Sequence, residues 1–291
     1  MATRPILPYY APAEQLPAPL PTVAEILASK TRLSQSHEAP VFRVGDHFAV
    51  KYGKHTSLQE GENMLFVQQS SRVSVPKVYA IFHDEATKTN YIILEFIPGK
   101  NLGHVWNELG TSEKRDIMSQ LGRHMDELRS IPSQGFYGGI WRQPTLAYHF
   151  QDGDLMDHPH PDVTISGPQE TEEQWTDAMW RYLDARVTAE GARSMLPLRR
   201  QVYHDVFKGH KPVFTHANIL KRNIMLRDDG TVVIVDWENA GWYPSYWEYC
   251  TAMLILNYKE DWGQWLVGVL DKYNVELCAM ILHSDMIFWS T

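Results

Sequence analysis

The spacing of hydrophobic and polar positions changes near residue 97. Upstream of this point, short apolar runs are separated by turn residues, which predicts strands. These runs form two predicted hairpins, VFRVGDHFAVKYG around a Gly-Asp turn and VPKVYAIFHDEATKTNYIILEFIPG. The run from Tyr91 to Phe96 is almost entirely apolar, which predicts a central strand. Between the hairpins, SLQEGENMLFVQQ predicts a helix.

Downstream of residue 97, apolar residues recur every three or four positions, as they do in amphipathic helices. The segment TSEKRDIMSQLGRHMDELRSI has this spacing and predicts one long helix. Another helix is predicted over residues 170–187, and two more after residue 245. One of these last two would carry Trp262, Trp265, Leu266, Val269 and Tyr273 on one face. A hairpin interrupts the helices, because NIML and TVVIVD flank an Asp-Gly turn.

This order of elements predicts an α+β protein, with a strand-rich part followed by a mainly helical part. Residues 1–21 are rich in proline and are expected to lack regular structure, with a packed arm as the alternative. We call them the N-terminal arm. Thr22 and Glu25 have capping-box spacing and predict the start of a short helix. The predicted divisions are the arm, a β-rich region over 22–97, and a helical region with the small hairpin over 98–291.

Composition excludes some classes of function. The chain has 291 residues, 44% of them hydrophobic, and a net charge of -8. This acidic balance argues against nucleic-acid binding, which usually needs a basic face. Two cysteines do not suggest a disulfide framework or a zinc site, so a reducing, cytoplasmic location is expected. No run approaches the roughly 20 apolar residues of a membrane span, so no membrane association is expected.

Two charged residues in the strand-rich part are candidates for phosphate binding. Lys51 ends the strand FAVK, and a lysine on a strand can reach the α- and β-phosphates of a nucleotide. Glu60, on the following helix, would pair with Lys51 and hold it extended. Glu62 is the rival partner. Because residues two apart on a helix point away from each other, only one of the two can face the lysine well.

A second group of candidates surrounds the later hairpin. Residues 216–223, HANILKRN, have the spacing of the kinase catalytic loop H-x-D-x-x-x-x-N, but Asn218 stands at the aspartate position. Asn223 comes just before one strand and Asp236 just after its partner, so the turn is expected to bring their side chains together. Both residues offer oxygen ligands suited to Mg²⁺.

These segments together resemble the aminoglycoside-phosphotransferase and choline-kinase-like group, especially its fungal members. The resemblance covers about residues 41–260 and includes FAVKYG, EGENMLFV, YIILEFIPGKNL and FTHANILKRNIML…VVIVDWENAGWYPSYWEY. It implies a bilobal protein-kinase-like fold, with a small β-rich N-lobe, a larger helical C-lobe and ATP between them. It also implies that Lys51 binds phosphate with Glu60 as its partner, and that backbone groups of Glu95, Phe96 and Ile97 meet the adenine. Asn223 and Asp236 would hold magnesium.

The catalytic loop departs from the family pattern. The usual His-Gly-Asp is His216-Ala217-Asn218 in this chain. A carboxylate can accept the proton of a substrate hydroxyl, whereas a neutral amide cannot. A positioned general base typically contributes about 10²–10⁴ in rate, so Asn218 predicts a severe loss of kinase activity without loss of fold or nucleotide binding. His216 is interpreted as a structural residue that holds this loop, with a catalytic base as the alternative.

Three hypotheses about function therefore stay open. The first is an ATP- and magnesium-dependent phosphotransferase, or its weakened descendant, acting on a hydroxyl or amine of a small molecule. The second is a pseudokinase that binds a nucleotide or partner without turnover. The third is a biosynthetic enzyme that uses the same cleft for non-phosphoryl chemistry. The sequence identifies neither the acceptor nor the oligomeric state.

Two other clusters have simpler interpretations. His149, His158 and His160 lie among four aspartates, with Pro159, Pro161 and Gly153, and are interpreted as a mobile acidic loop in preference to a metal site. This loop could line the acceptor pocket. The aromatic residues Trp237, Trp242, Tyr243, Tyr246 and Trp247 are expected to pack in the core, although Trp237 and Glu238 adjoin the predicted metal site.

Overall fold

The computed structural model describes residues 2–34, 40–145, 166–186, 193–255 and 260–289. It confirms the predicted α+β class, with a β-sheet N-terminal region and a helical C-terminal part. Contacts group the chain into two compact units. The first contains Met1–Leu109 and Lys221–Glu238, and the second contains Gly110–Leu220 and Asn239–Thr291. The boundaries placed at residues 21 and 97 stay predictions.

The first unit is built on a five-stranded sheet with the order β1-β4-β5-β3-β2. Every neighbouring pair is antiparallel, and β5 lies in the centre, as its apolar sequence predicts. The elements of this sheet and its helices are β1 (Tyr9–Tyr10), α1 (Val23–Ala28), β2 (Val41–Val44), β3 (Phe48–Gly53), α2 (Gln59–Ser70), β4 (Val78–Asp84) and β5 (Thr89–Glu95).

Helix α2 covers one face of this sheet. A side chain on Gly61 would meet Ile81 of β4 and Ile92 of β5, so these two isoleucines point toward the helix. Lys51 is the register partner of Ile92 and therefore points to the same side. The sheet thus presents Lys51 toward the first turn of α2.

The N-terminal arm covers the opposite face. Tyr9 and Tyr10 pair with β4, and the Ala11 N–H donates to the Tyr79 carbonyl at 2.8 Å. Most of residues 2–21 thus lack regular structure, as expected, but the arm packs on the sheet, which was the alternative. Helix α1 follows with the predicted capping box between Thr22 and Glu25. Arm and α1 residues share one hydrophobic cluster with the sheet: Ala11, Ile26, Val44, Phe48, Val50, Tyr79, Ala80, Tyr91 and Ile93.

A three-stranded sheet with the order β6-β8-β9 completes the first unit. Its central strand β8 and the following β9 form the hairpin predicted around the Asp-Gly turn. Beyond the last pair, the Val235 N–H donates to the Asn223 carbonyl at 2.9 Å. The elements are β6 (Gly99–Asn101), α3 (Leu102–Val105), β8 (Ile224–Arg227) and β9 (Val232–Ile234).

The second unit is mainly helical around the antiparallel pair of β7 (Pro212–Thr215) and β10 (Gly241–Pro244). Trp242, Tyr243, Tyr246 and Trp247 are fully buried, which confirms the prediction of core packing for these aromatics. The helices are α4 (Thr111–Ser130), α5 (Glu172–Arg186), α6 (Leu196–Val206), α7 (Trp247–Leu254), α8 (Trp262–Leu266) and α9 (Asn274–Trp289).

One predicted helix is shorter than expected. The helix predicted to carry both Trp262 and Tyr273 is not formed, because α8 ends at Leu266 and α9 begins at Asn274. Three helices rather than two therefore follow residue 245 in the described part of the chain. In that part, no helix combines the length and the apolar character needed to cross a membrane.

The tight approach of α2 to the sheet gives a first prediction. A Cβ on residue 61 would lie 2.7 Å from Cδ1 and 2.8 Å from Cγ1 of the buried Ile81. Gly61→Ala should therefore lower the free energy of unfolding by about 1 kcal/mol, since overpacking outweighs the gain in helix propensity.

The matched control is the same change in an Ile81→Ala background, where the space is open. There the added methyl should stabilise the protein by up to about 1 kcal/mol, the ordinary helix-propensity difference between glycine and alanine. Chemical unfolding of the four proteins measures this cycle. Stabilisation by Gly61→Ala in both backgrounds would contradict the packing described.

Candidate functional site

Lys51 lies at the centre of a cluster of carboxylates in the first unit. Its Nζ is 2.6 Å from Glu60 Oε2, 2.9 Å from Glu238 Oε2 and 3.3 Å from Asp236 Oδ1. One oxygen from each carboxylate lies within 4.8 Å of the others. We call these four residues the lysine cluster. It contains one ammonium and three carboxyl groups, so it carries an excess of negative charge when all are ionised.

Burial and charge oppose each other in this cluster. The side chains of Lys51 and Glu60 are 7% and 4% exposed. Burial would lower the pKa of Lys51, but Glu60, Glu238 and Asp236 raise it well above its ordinary value. Burial, together with Asp236 and Glu238, raises the pKa of Glu60, although Lys51 opposes this shift. Lys51 is therefore charged, and all three carboxyl groups interact with the same ammonium group.

Helix α2 decides which glutamate faces the lysine. Glu60 makes the ion pair expected with Lys51, whereas Glu62 pairs with Arg4 of the N-terminal arm at 3.0 Å. The choice between Glu60 and Glu62 therefore agrees with the prediction. Residues two apart on a helix are about 200° apart around its axis, so the two carboxylates point in nearly opposite directions.

The segment after β9 brings Asp236 and Glu238 to the lysine. Asp236 has a left-handed φ of 68°, which is rare for a residue with a side chain. The next residue is fixed on both sides, because Asn63 of α2 donates to the Trp237 carbonyl at 2.7 Å and the indole of Trp237 donates to the Ile234 carbonyl at 2.8 Å. These bonds hold the strained turn that aims Asp236 at Lys51.

Asn223 lies just before β8, at the same open end of the hairpin as Asp236. It is buried, with a relative exposure of 4%, and its carbonyl closes the pairing with Val235. The hairpin thus places Asn223 in this last backbone bond and Asp236 one residue beyond it. The two residues are therefore neighbours at the end of the hairpin from which Asp236 reaches Lys51, as the position of the turn predicts.

The segment expected to meet adenine, Glu95 to Ile97, begins at the last residue of β5. The N–H of Glu95 donates to the Lys77 carbonyl, and the N–H of Phe96 donates to the His47 carbonyl, both at 2.8 Å. The Glu95 carboxylate binds Arg227 at 2.7 Å. The segment is therefore anchored on both sides, and two of its backbone donors are already used.

The loop after β7 belongs to the second unit. His216 is fully buried, and its Nδ1 accepts the Asn218 N–H at 3.2 Å. Ala217, where the family pattern has glycine, keeps a left-handed φ of 64°. Asn218 is partly exposed, and its carbonyl accepts the Leu220 N–H at 2.9 Å. The buried ring of His216 thus holds the loop, as its structural interpretation expects.

Glu248 of α7 accepts hydrogen bonds from the backbone of this loop. Its Oε2 accepts the N–H groups of His216 at 2.8 Å and Ala217 at 3.2 Å. Burial raises the pKa of Glu248 to about 7, although these hydrogen bonds and the charge of Arg129 favour the ionised form. A buried carboxyl group thus fixes the strained backbone just before Asn218.

Some predictions lie outside what the structure describes, and some contacts were not predicted. His149, His158 and His160 fall in residues 146–165, outside the described ranges. Asn63, Glu248 and Arg4 were not predicted as site residues from the sequence. Glu248 could have been predicted from the sequence, because it is the single charged residue in the otherwise apolar helix WEYCTAML. Arg4 could not have been predicted from a local pattern, since its partner Glu62 is 58 residues away.

Glu248 generates a pH prediction. Because its folded pKa lies above its ordinary value near 4.5, the folded state binds more protons than the unfolded state between about pH 4.5 and pH 7. Its contribution to stability is therefore complete below that window and is lost as pH rises through 7. The full loss is of the order of 3 kcal/mol.

The test compares the parent with Glu248→Gln in chemical unfolding from pH 5 to pH 8. The variant cannot titrate at this position, so its stability should fall less steeply between pH 5 and pH 7. Glu113→Gln, at the exposed start of α4, is the control and should keep the parent's slope. Equal slopes for all three proteins would show that Glu248 keeps an ordinary pKa.

Comparisons with known proteins find solved structures of the same fold. A solved gentamicin complex of APH(2")-IIa superposes with a TM-score of 0.56 at 12% identity, over 89% of this chain and 82% of that chain. The GDP and kanamycin complex of APH(2")-IIia gives 0.56 at 15% identity, over 89% and 85%. A thermostable variant of APH(4)-Ia, in ternary complex with AMP-PNP and hygromycin B, gives 0.53 at 15% identity, over 89% and 90%.

At these identities, the solved structures show the fold alone. A search of curated proteins finds no match. The family model described as "Phosphotransferase enzyme family" (APH) matches residues 31–280, which include the lysine cluster, the loop after β7 and the hairpin. The chain therefore belongs to the APH phosphotransferase enzyme family.

Proposed function

We propose that this protein binds Mg–ATP and transfers its γ-phosphoryl group to a hydroxyl or amine of a small molecule, at a rate reduced by Asn218. The lysine cluster carries the proposal. Lys51 is held extended by Glu60 at 2.6 Å, and Asp236 is delivered to the same ammonium by a strained and hydrogen-bonded turn. Such an assembly suits the binding of phosphates beside a divalent cation.

The residues present fit magnesium. The lysine cluster offers two partly exposed carboxylates, Asp236 and Glu238, each with a side chain 27% exposed. With Asn223 they form a set of hard oxygen ligands, which Mg²⁺ prefers. Asp236 and Asn223 would hold the ion, and Glu238 lies within its reach. When bound, the ion neutralises charge on the phosphate oxygens.

The nucleotide would be held by parts of the first unit. Lys51 would bind the α- and β-phosphates, and the backbone of Glu95, Phe96 and Ile97 would meet the adenine. Because the N–H groups of Glu95 and Phe96 already donate to carbonyls, the adenine contacts would come from the remaining backbone groups of this segment. The structural relatives solved with GDP and with AMP-PNP support a nucleotide ligand.

The acceptor is a small molecule in this proposal. The relatives solved with gentamicin, kanamycin and hygromycin B support that class without identifying the compound. In the transfer, the acceptor oxygen or nitrogen forms a bond to the γ-phosphorus, and the bond from that phosphorus to the oxygen of ADP breaks. The acceptor's proton must leave, and it is this proton that a catalytic carboxylate would take.

Asn218 changes this proton transfer. Its amide can hydrogen-bond an acceptor hydroxyl and orient it, but it does not take the proton. The proton would pass to solvent or to the phosphoryl oxygens, without the roughly 10²–10⁴ contribution of a positioned base. His216 does not replace the base, because its ring is buried and its Nδ1 accepts the Asn218 N–H.

A nucleotide-binding pseudokinase is the second candidate, and Asn218 is the observation that favours it. A biosynthetic enzyme with non-phosphoryl chemistry is the third. The intact lysine cluster favours the first two over the third, because a site without nucleotide has no use for a buried lysine among three carboxylates.

The metal part of the proposal predicts a change in nucleotide binding. Asp236→Asn should reduce the Mg²⁺-dependent gain in ATP affinity by about tenfold or more, because it removes a charged oxygen ligand. Calorimetric titration with ATP, with and without Mg²⁺, measures this gain. Asp46→Asn, an exposed carboxylate of the same unit, is the control and should behave as the parent. An ATP affinity in the parent that ignores Mg²⁺ would reject the site.

The catalytic part predicts a gain of activity. Asn218→Asp restores a carboxylate at the loop position, so ATP hydrolysis or transfer to kanamycin as a probe should rise about 10²-fold or more. Asn218→Ala is the matched control and should show no rise. A rise confined to Asn218→Asp identifies a weakened kinase. Unchanged turnover with intact Mg–ATP binding identifies a pseudokinase.

A further inference from the structure

His210 lies between two carboxylates in the second unit. Its Nδ1 is 2.6 Å from Glu172 Oε1, and its Nε2 is 3.0 Å from Glu276 Oε1. The side chains of His210, Glu172 and Glu276 are 11%, 13% and 16% exposed. We call these three residues the histidine bridge. An ionised carboxylate can only accept, and a neutral imidazole has a single N–H, so both contacts are hydrogen bonds only when the ring is an imidazolium.

The histidine bridge joins three separate segments of the second unit. Glu172 is the first residue of α5, and Glu276 lies in the first turn of α9. His210 stands two residues before β7, the strand that leads directly into the loop of His216 and Asn218. The hydrogen bond at Nε2 therefore links the start of α9 to the segment that enters β7.

The two carboxylates are held unequally. Glu172 Oε2 also accepts the backbone N–H groups of Gly209 at 2.5 Å and His210 at 2.8 Å. The hydroxyl of Tyr137 fixes the same backbone, because it donates to the His210 carbonyl at 2.7 Å. Among the residues that the structure describes, Glu276 has no hydrogen bond other than the one to Nε2. Glu172 is therefore attached to the segment whatever the charge of the ring, whereas Glu276 depends on the ring alone.

The carboxylates favour the charged form of the ring. Burial would lower the pKa of His210, but the hydrogen bonds and charges of Glu172 and Glu276 raise it above its ordinary value. A neutral ring would leave a lone pair opposite one of the two carboxylates, which is a repulsive contact. Protonation of His210 thus decides whether both sides of the bridge are attractive.

The other titratable groups around the bridge are tyrosines, a thiol and two lysines. Tyr246 at the start of α7 and Tyr273 before α9 meet the imidazole ring edge-on, with centroids 4.9 Å and 5.9 Å away. Burial and Glu172 raise the pKa of Tyr137 to about 12, and burial, Glu276 and Cys278 raise the pKa of Cys250 on α7. The lysines that flank His210 in the sequence, Lys208 and Lys211, are exposed to solvent.

We propose that the histidine bridge is a pH-dependent switch for helix α9. As an imidazolium, His210 holds the start of α9 to α5 and to the segment that enters β7. When the ring loses its proton, the contact with Glu276 opens and the start of α9 is released. The inference does not depend on the proposed function, because it concerns contacts within the second unit.

The expected pH dependence follows from the direction of the pKa shift. Because the pKa of His210 is raised in the folded state, its contribution to stability is complete below its ordinary value of about 6.5 and is lost as pH rises through the folded value. The contribution of Glu248 is also lost with rising pH, so global unfolding does not separate the two residues. Amide hydrogen exchange at the start of α9 reports on the bridge locally.

The experiment measures protection factors for residues 274–282 from about pH 6 to about pH 9, which spans the raised titration of a histidine. In the parent, protection should fall about tenfold or more over this range, the usual worth of a hydrogen bond to a charged group. His210→Gln should show low protection at every pH. Glu276→Gln offers both an acceptor and a donor to the ring, so its contact survives deprotonation and its protection should stay nearly constant.

A matched control is His204→Gln. It removes another histidine–carboxylate pair of the second unit, in which His204 Nε2 lies 3.3 Å from Asp177 Oδ1, and it should keep the parent's pH response. A titration followed by NMR, with the His210 signal assigned by its loss in His210→Gln, should give a midpoint above about 6.5.

Three results would overturn the proposal. They are protection of residues 274–282 that stays constant with pH in the parent, a Glu276→Gln variant that loses protection as steeply as the parent, and a His210 midpoint at or below the ordinary value. If His210→Gln does not fold, the comparison of the parent with Glu276→Gln decides alone.

Discussion

The first unit depends on one constraint, which is that the buried ammonium group of Lys51 must be neutralised by carboxylates. A lysine with 7% of its side chain exposed requires counter-charge, and the fold supplies it from two directions. The register of β3 with β5 turns Lys51 toward α2, where Glu60 meets it. The hairpin β8–β9 then delivers Asp236 and Glu238, which come from a part of the chain more than 180 residues away.

Two residues with a left-handed φ show that the backbone is strained beside the lysine cluster and beside Asn218. Asp236 and Ala217 have φ values of 68° and 64°, and each such position costs about 1–3 kcal/mol. Local hydrogen bonds hold both. Asn63 and the Trp237 indole fix the first, and the Glu248 carboxylate fixes the second. In both places a buried polar side chain, at the cost of its own desolvation, sets the direction of a neighbouring functional group.

Much of this arrangement was predictable because local patterns determine it. Alternating apolar residues predict β2 to β5, the continuous apolar run predicts the central β5, and helical spacing predicts α2 and α4. The opposite directions of Glu60 and Glu62 follow from helix geometry alone. The order of Lys51, Glu60 and Asp236 in the sequence therefore predicted three of the four residues that meet in the lysine cluster.

The rest depends on contacts between distant residues, which no local pattern records. The arm is rich in proline, and its two-residue strand is too short to give a period, yet it buries Ala11 and pairs with β4. The helix expected through Tyr273 breaks after Leu266 although its apolar spacing continues, because tertiary packing overrides periodicity. Arg4 and Glu62 look like ordinary surface charges in the sequence, and only the fold shows that one of them is buried.

The lysine cluster also explains why an asparagine at position 218 is compatible with the proposed binding of a nucleotide. A buried lysine with three carboxylates is a costly arrangement, and apolar residues of similar volume commonly replace such clusters without loss of stability. Stability therefore does not account for this cluster, which is consistent with the proposed binding of phosphates and a cation. The loop with Asn218 is equally well supported, because Glu248 and His216 hold its backbone whichever side chain follows them. In the proposed transfer, Asn218 supplies no proton acceptor, and the chemistry most affected is the deprotonation of the small-molecule acceptor.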